Sequence, residues 1–206
     1  MFKKLTLLSL PLAVVLAIGW TNFQANAAID IGTKAPNIST TDIHGNAFDL
    51  EDHRGKIVVL EWTNHQCPFV VKHYSTNNMQ QAQKQATDNG VVWVSIVSSS
   101  PGKQGFVSPE DAVKIEEQVG ANATTRILDP LGKIGQAYAA RTTPHMFVIS
   151  PEGNIVYKGA IDNNPSPSPK AVEGAKNLVL AALDDLSAGR SVEIPQTPPY
   201  GCSVKY

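Results

Sequence analysis

The chain has 206 residues, with 17 Lys and Arg against 18 Asp and Glu, a net charge of −1, and only two cysteines, Cys67 and Cys202. That length suits one domain with a sizeable core. The near-neutral charge without a basic run argues against nucleic acid as a partner.

Residues 1–27 read as a targeting segment: a basic start at Lys3-Lys4, an apolar run from Leu5 to Gly19 broken by Pro11, and Ala25-Asn26-Ala27 as an A-x-A cleavage site. Cleavage after Ala27 is expected to release a secreted or periplasmic protein with no membrane contact. The run is too short to span a bilayer comfortably, and export allows a disulfide to persist. Removing the first 27 of the 206 residues, with Lys3 and Lys4, leaves 179 residues and a charge of −3. Residues 28–189 are expected to form the domain, and residues 190–206 a Pro-rich tail.

In chain order, Ile57 to Leu60 with Trp62 form an apolar run interrupted only by Glu61, as in a strand covered on both faces. Pro68 opens a helix whose apolar spacing (Val71, Tyr74, Met79, Ala82, Ala86) lasts until Asp88-Asn89-Gly90. Gly90 to Val97 is a second buried strand. Ser108-Pro109-Glu110-Asp111 then supplies an N-cap, a proline at the first helical position and an acid behind it, starting a helix that runs to about Gly120. Thr125 to Asp129 is a short strand and Leu131 to Ala139 a short helix. His145 to Ile161 is a hairpin turning at Ser150-Pro151-Glu152-Gly153. Prolines exclude regular structure from Asn163 to Pro169, and a last helix carries Val172, Ala175, Val179, Ala182, Leu183 and Leu186 on one face up to Gly189. Alternating strands and helices predict an α/β fold: a central, mostly parallel sheet, an antiparallel C-terminal hairpin, and helices on both faces.

Cys67 stands where a helix begins, so unpaired backbone N–H groups and the helix dipole favour its thiolate; the alternative is a small buried hydrophobe. Pro195, Pro198 and Pro199 are expected to keep the tail that carries Cys202 open and unpaired, long enough to reach the domain and leave it again.

Taken together, "GTKAPNI", "VVLEWTNHQCPFV" and "TTPHMFVISPEGNIVYKGAI" resemble the thioredoxin-fold superfamily, in the redoxin branch that includes alkyl hydroperoxide reductase and thiol-specific antioxidant relatives. The likeness spans about Ile29 to Ala188. It implies that Cys67 is the nucleophile of a thiol oxidoreductase, and that Thr143-Pro144 is a cis pair facing the thiol. Thr143, Pro144, Trp62 and Phe69 are the candidate substrate-binding residues, the two aromatic side chains packing beside the site. By the same likeness Glu61 is a buried acid relaying the thiol proton, or else a carboxylate at an exposed strand end. His65 and His145 are candidate electrostatic supports.

The sequence departs from the family in two places. Val70 stands where Cys-x-x-Cys has its second cysteine, which leaves Cys202 to act as resolving thiol or as half of a permanent bridge. Asn64 and Leu60 occupy the Thr and Pro positions of the peroxidatic Pro-x-x-x-Thr-x-x-Cys pattern. Thiol-disulfide exchange is therefore preferred over a peroxiredoxin-like peroxidase. A copper-binding chaperone using Cys67, His65 and His145, and a redox-inactive module with a structural disulfide, are the remaining alternatives. No cofactor and no resident metal are expected. The expected partners are a protein or small-molecule disulfide, or a peroxide, and a thiol reductant.

Overall fold

The computed structural model describes residues 29–206, so the expected targeting segment lies outside the described residues. After the entry segment come β1 (Ser39–Thr41) and β2 (Ala47–Asp49), paired antiparallel and followed by a 3-10 turn at Leu50–His53. The chain continues through β3 (Val58–Trp62), α1 (Pro68–Ser75), α2 (Asn78–Asp88), β4 (Val92–Val97), α3 (Pro109–Val119), β5 (Thr125–Leu128), α4 (Lys133–Ala137), β6 (Thr142–Thr143), β7 (His145–Ile149), β8 (Ile155–Gly159), α5 (Leu178–Ser187) and β9 (Cys202–Ser203).

The central sheet has the order β5-β4-β3-β7-β8, parallel across the first three strands and antiparallel from β3 through β7 to β8. Every residue of β3, β4 and β7 is buried, which is why these strands read as continuous apolar runs. Alternate side chains feed two layers. Leu60, Trp62, Val94, Ile96 and Phe147 pack with Ile38, Phe48 and Tyr138. Val59, Trp93, Met146 and Val148 pack under Met79 and Ala82 of α2 and Val179 and Ala182 of α5. Each large apolar side chain fully removed from water contributes about 1.5–3 kcal/mol, so these layers hold the sheet that presents the thiol.

Three expectations are corrected here. The single helix from Pro68 to Asp88 is two, because Asn77 adopts a left-handed conformation (φ 60°) between α1 and α2. The last helix begins at Leu178 rather than near Val172: Gly174 has φ 71°, and the Asn177 side chain caps the N–H of Leu180. The tail is neither open nor unpaired. Lys158 N–H donates to Pro195 O (3.0 Å), Thr197 N–H donates to Lys158 O (3.1 Å), β9 pairs with β6, and Tyr206 OH donates to Ala140 O (2.8 Å). Pro195 takes part through its carbonyl, Pro198 and Pro199 lie between the remaining bonds, and the segment forms a strap along the domain.

Candidate functional site

Cys67 is the N-cap of α1: its backbone is extended (φ −80°, ψ 123°), and its carbonyl accepts the N–H groups of Val70 (2.9 Å) and Val71 (2.8 Å). Pro68 occupies the first helical position, where a missing N–H costs nothing. The side chain is fully buried, and its S–H donates to the carbonyl of Thr143 at 3.0 Å. The Thr143-Pro144 peptide is cis.

Across this point β6 meets β9 antiparallel, with Thr143 opposite Cys202 and Thr142 opposite Ser203. Gly201, at φ 133°, permits the approach; a Cβ there would lie 2.0 Å from the Thr143 oxygen. Cys202 therefore lands beside Cys67, both as free thiols. Burial opposes ionisation of Cys67, but the polar groups around it, Cys202 first and then Thr143 and the backbone at the start of α1, outweigh it and hold the thiol below its ordinary pKa. Burial and the neighbouring Cys67 push Cys202 up to about 11. The geometry thus makes Cys67 the acidic member and Cys202 the proton-holding one.

Thr143 and Pro144 are at the thiol but buried beneath the strap, and the Thr143 hydroxyl has no hydrogen-bond partner. The other candidates fare differently. Trp62 is fully buried, with its ring 5.3 Å from Tyr138 and 5.2 Å from Phe147 and its indole N–H on Ser98 Oγ. Phe69 turns to the strap, 5.8 Å from the Tyr200 ring. Glu61 is fully buried rather than exposed, yet accepts hydrogen bonds from Tyr74 OH (2.9 Å), Gln83 Nε2 (2.9 Å), Trp93 Nε1 (2.8 Å) and Ser95 Oγ (3.3 Å). None of these hydrogen bonds goes to Cys67, whose own partner is the Thr143 carbonyl.

The two histidines do not supply positive charge. Burial, followed by Arg126, lowers the pKa of His65, which lines a cavity of about 300 Å³ with Val70, Val71, Tyr74 and Arg126. His145 sits in a separate hollow with Arg141, Lys158 and Thr197, and burial brings it down to about 3. The two histidines line separate hollows, and no group of three or more His, Cys, Asp or Glu side chains among the described residues is arranged to hold a metal ion.

One cluster escaped the sequence reading. Tyr200 OH donates to Asp162 Oδ1 and meets Lys72 Nζ (3.2 Å) and His73 Nε2 (3.2 Å), while Lys72 Nζ also reaches Asp162 Oδ2 (3.4 Å) and Asn164 O (2.8 Å). Lys72 and His73 are fully buried. The available signal was a Lys-His pair between Val71 and Tyr74 in a helix otherwise apolar at that point.

Comparison with known proteins decides the family. A family model described as Redoxin matches residues 30–178. The chain belongs to the Redoxin family. This redoxin is 26% identical over 151 residues to the thiol-disulfide oxidoreductase ResA of Bacillus subtilis, a match that covers 70% of this chain and 78% of that one. An uncharacterised protein of Geobacillus kaustophilus has a similar crystal structure (TM-score 0.73, 28% identity, 87% of this chain and 94% of that one). A hypothetical protein of Sinorhizobium meliloti shares the fold (TM-score 0.75, 24% identity, 87% and 96% covered). The thioredoxin-like fold and the thiol-based oxidoreductase class of this redoxin follow from that membership together with these relatives.

Proposed function

We propose that this redoxin carries out thiol-disulfide exchange, with Cys67 as nucleophile and Cys202 as resolving thiol. The observation that carries the reading is the placing of both thiols at Thr143, whose carbonyl accepts from Cys67 and whose strand partner is Cys202, with opposite shifts in acidity. The Cys67 thiolate, its proton lost to solvent, attacks one sulfur of a substrate disulfide; a Cys67–substrate bond forms and the other sulfur leaves as a thiolate that takes up a proton. Cys202, deprotonated in turn, then attacks the Cys67 sulfur and expels the second substrate thiolate. The substrate disulfide gains two electrons and two protons, and Cys67–Cys202 becomes a disulfide until a thiol reductant restores it.

Disulfide exchange is favoured over peroxide reduction because the Asn64 side chain is already engaged, accepting the N–H of Gln66 (2.9 Å) and donating to Gln104 O (3.4 Å). The residue pattern before Ala27 supports export, which the N-terminal mass of the protein recovered from the cell envelope tests. The thiol chemistry is tested with Cys202→Ser: a small-molecule disulfide should leave a persistent adduct on Cys67, whereas turnover at the native rate removes Cys202 from the mechanism. A permanent bridge is the outcome if oxidised native protein resists excess glutathione.

A further inference from the structure

The reactive thiol and the Lys72–His73 pair belong to the same short helix: Cys67 caps α1, and Lys72 and His73 lie five and six residues on. Tyr200 and Cys202 are likewise two residues apart on the strap. The buried cluster therefore seats the strap on the element that carries its chemical partner. The Tyr200 hydroxyl is fully engaged there, donating to Asp162, accepting from Lys72 and sharing a hydrogen bond with His73 Nε2. Its ring lies against Phe69, and Lys72 Nζ stands 5.1 Å from the ring centroid. From this seat Gly201 makes the close pass over the Thr143 oxygen, and Cys202 is delivered to the sulfur.

We infer that Tyr200 is the positioning residue of the thiol pair, locking the C-terminal strap to α1 so that Cys202 meets the Cys67 adduct as a pre-aligned neighbour rather than as a tethered but wandering thiol. The inference rests on the reading of Cys202 as resolver. A loosely tethered thiol attacks at a low effective concentration, whereas one held in contact gains orders of magnitude from orientation alone. Tyr200 itself touches neither the substrate nor the reacting sulfurs; it acts through the strap.

The test uses the full reduced protein and one equivalent of 5,5′-dithiobis(2-nitrobenzoate), an aromatic disulfide that releases a coloured thiolate at each step. With a single equivalent, a second release comes only from resolution, and intact-protein mass separates the Cys67 adduct from the internal disulfide. Native protein should show a transient adduct and two releases. Tyr200→Ala should form the adduct at least as fast as native but resolve it on the order of tenfold or more slowly. Tyr200→Phe, which keeps the ring contacts and loses the hydroxyl bonds, should fall between, a graded rescue that general loosening of the fold does not produce. Gly201→Ala should also slow the second step, by pushing the strap off Thr143 while leaving the Tyr200 seat in place. If Tyr200→Ala does not fold, Tyr200→Phe decides alone. Native-rate resolution in the Tyr200 variants overturns the positioning role while adduct trapping in Cys202→Ser leaves the resolver standing; failure of Cys202→Ser to trap removes the resolver itself.

Discussion

The carboxylate of Glu61 accepts the indole N–H of Trp93 at 2.8 Å, deep between β3 and the helices that cover it. With Tyr74, Gln83 and Ser95 it completes a closed set of four donors, and its work is to satisfy them. Glu61→Ala is expected to destabilise the protein by at least about 3 kcal/mol, since each buried group left without a partner costs roughly 1–3 kcal/mol. The Cys67 thiolate titration should be nearly unchanged in the folded variant. Urea unfolding and thiolate absorbance against pH measure both; a large rise in the Cys67 midpoint would restore the relay.

The two thiols should titrate apart. Cys67 should ionise below the ordinary thiol value, and Cys202 well above it, near 11. Cys202→Ala removes the side chain that does most to favour the Cys67 thiolate, so the Cys67 midpoint should rise. Thiolate absorbance followed through a pH titration of the reduced native protein resolves the two midpoints, and the same titration of Cys202→Ala gives the rise at Cys67. Coincident midpoints would show that the pair does not polarise its members.

Acid should weaken the fold in a defined window. Burial, aided by Arg141 and Lys158, holds His145 near 3, and burial, aided by Lys72, holds His73 near 4, while both titrate near 6.5 when unfolded. Between about pH 6.5 and 4 the unfolded chain therefore binds more protons than the folded one. Stability should fall as pH drops through that window, by about 1.4 kcal/mol per pH unit for each histidine. Urea midpoints across the window test the slope, and His145→Asn should reduce it by roughly half.

Asp162 should be costly to remove. Lys72 and Asp162 are an ion pair at 3.4 Å whose side chains are 0% and 2% exposed. Asp162→Ala leaves a buried ammonium without its carboxylate, at a cost of about 3–5 kcal/mol. Burial already lowers the Lys72 pKa, and losing the carboxylate lowers it further, so the folded variant sheds that proton more readily than the unfolded chain. Part of the lost stability should return as pH rises toward the ordinary lysine value. Chemical denaturation at neutral and alkaline pH distinguishes this from simple loss of packing.

The central strands were legible because burial on both faces leaves an unbroken apolar run, and α3 because Ser108, Pro109 and Asp111 write its start in local chemistry: Ser108 Oγ accepts the Asp111 N–H at 3.2 Å. The break at Asn77 was not, since apolar spacing continues across it and only the backbone angle departs. Cys67 and Thr143-Pro144 could be brought together through their motif. The seat of the strap had no such trace, because Tyr200 meets Asp162 and Cys202 meets Thr143 across long sequence separations that leave no periodicity. Proline content pointed the wrong way in the tail. It marks segments without regular structure, not segments without partners.

The strap also covers β8, an outer strand of the central sheet, through Lys158 and residues Pro195 to Thr197. An uncovered outer strand offers its backbone to any passing chain as a template for further pairing. Proteolytic clipping after Gly189 would therefore do more than remove a thiol: it would turn a self-contained molecule into one prone to aggregate, and a preparation shortened at its C-terminus should be judged by its light scattering before its activity.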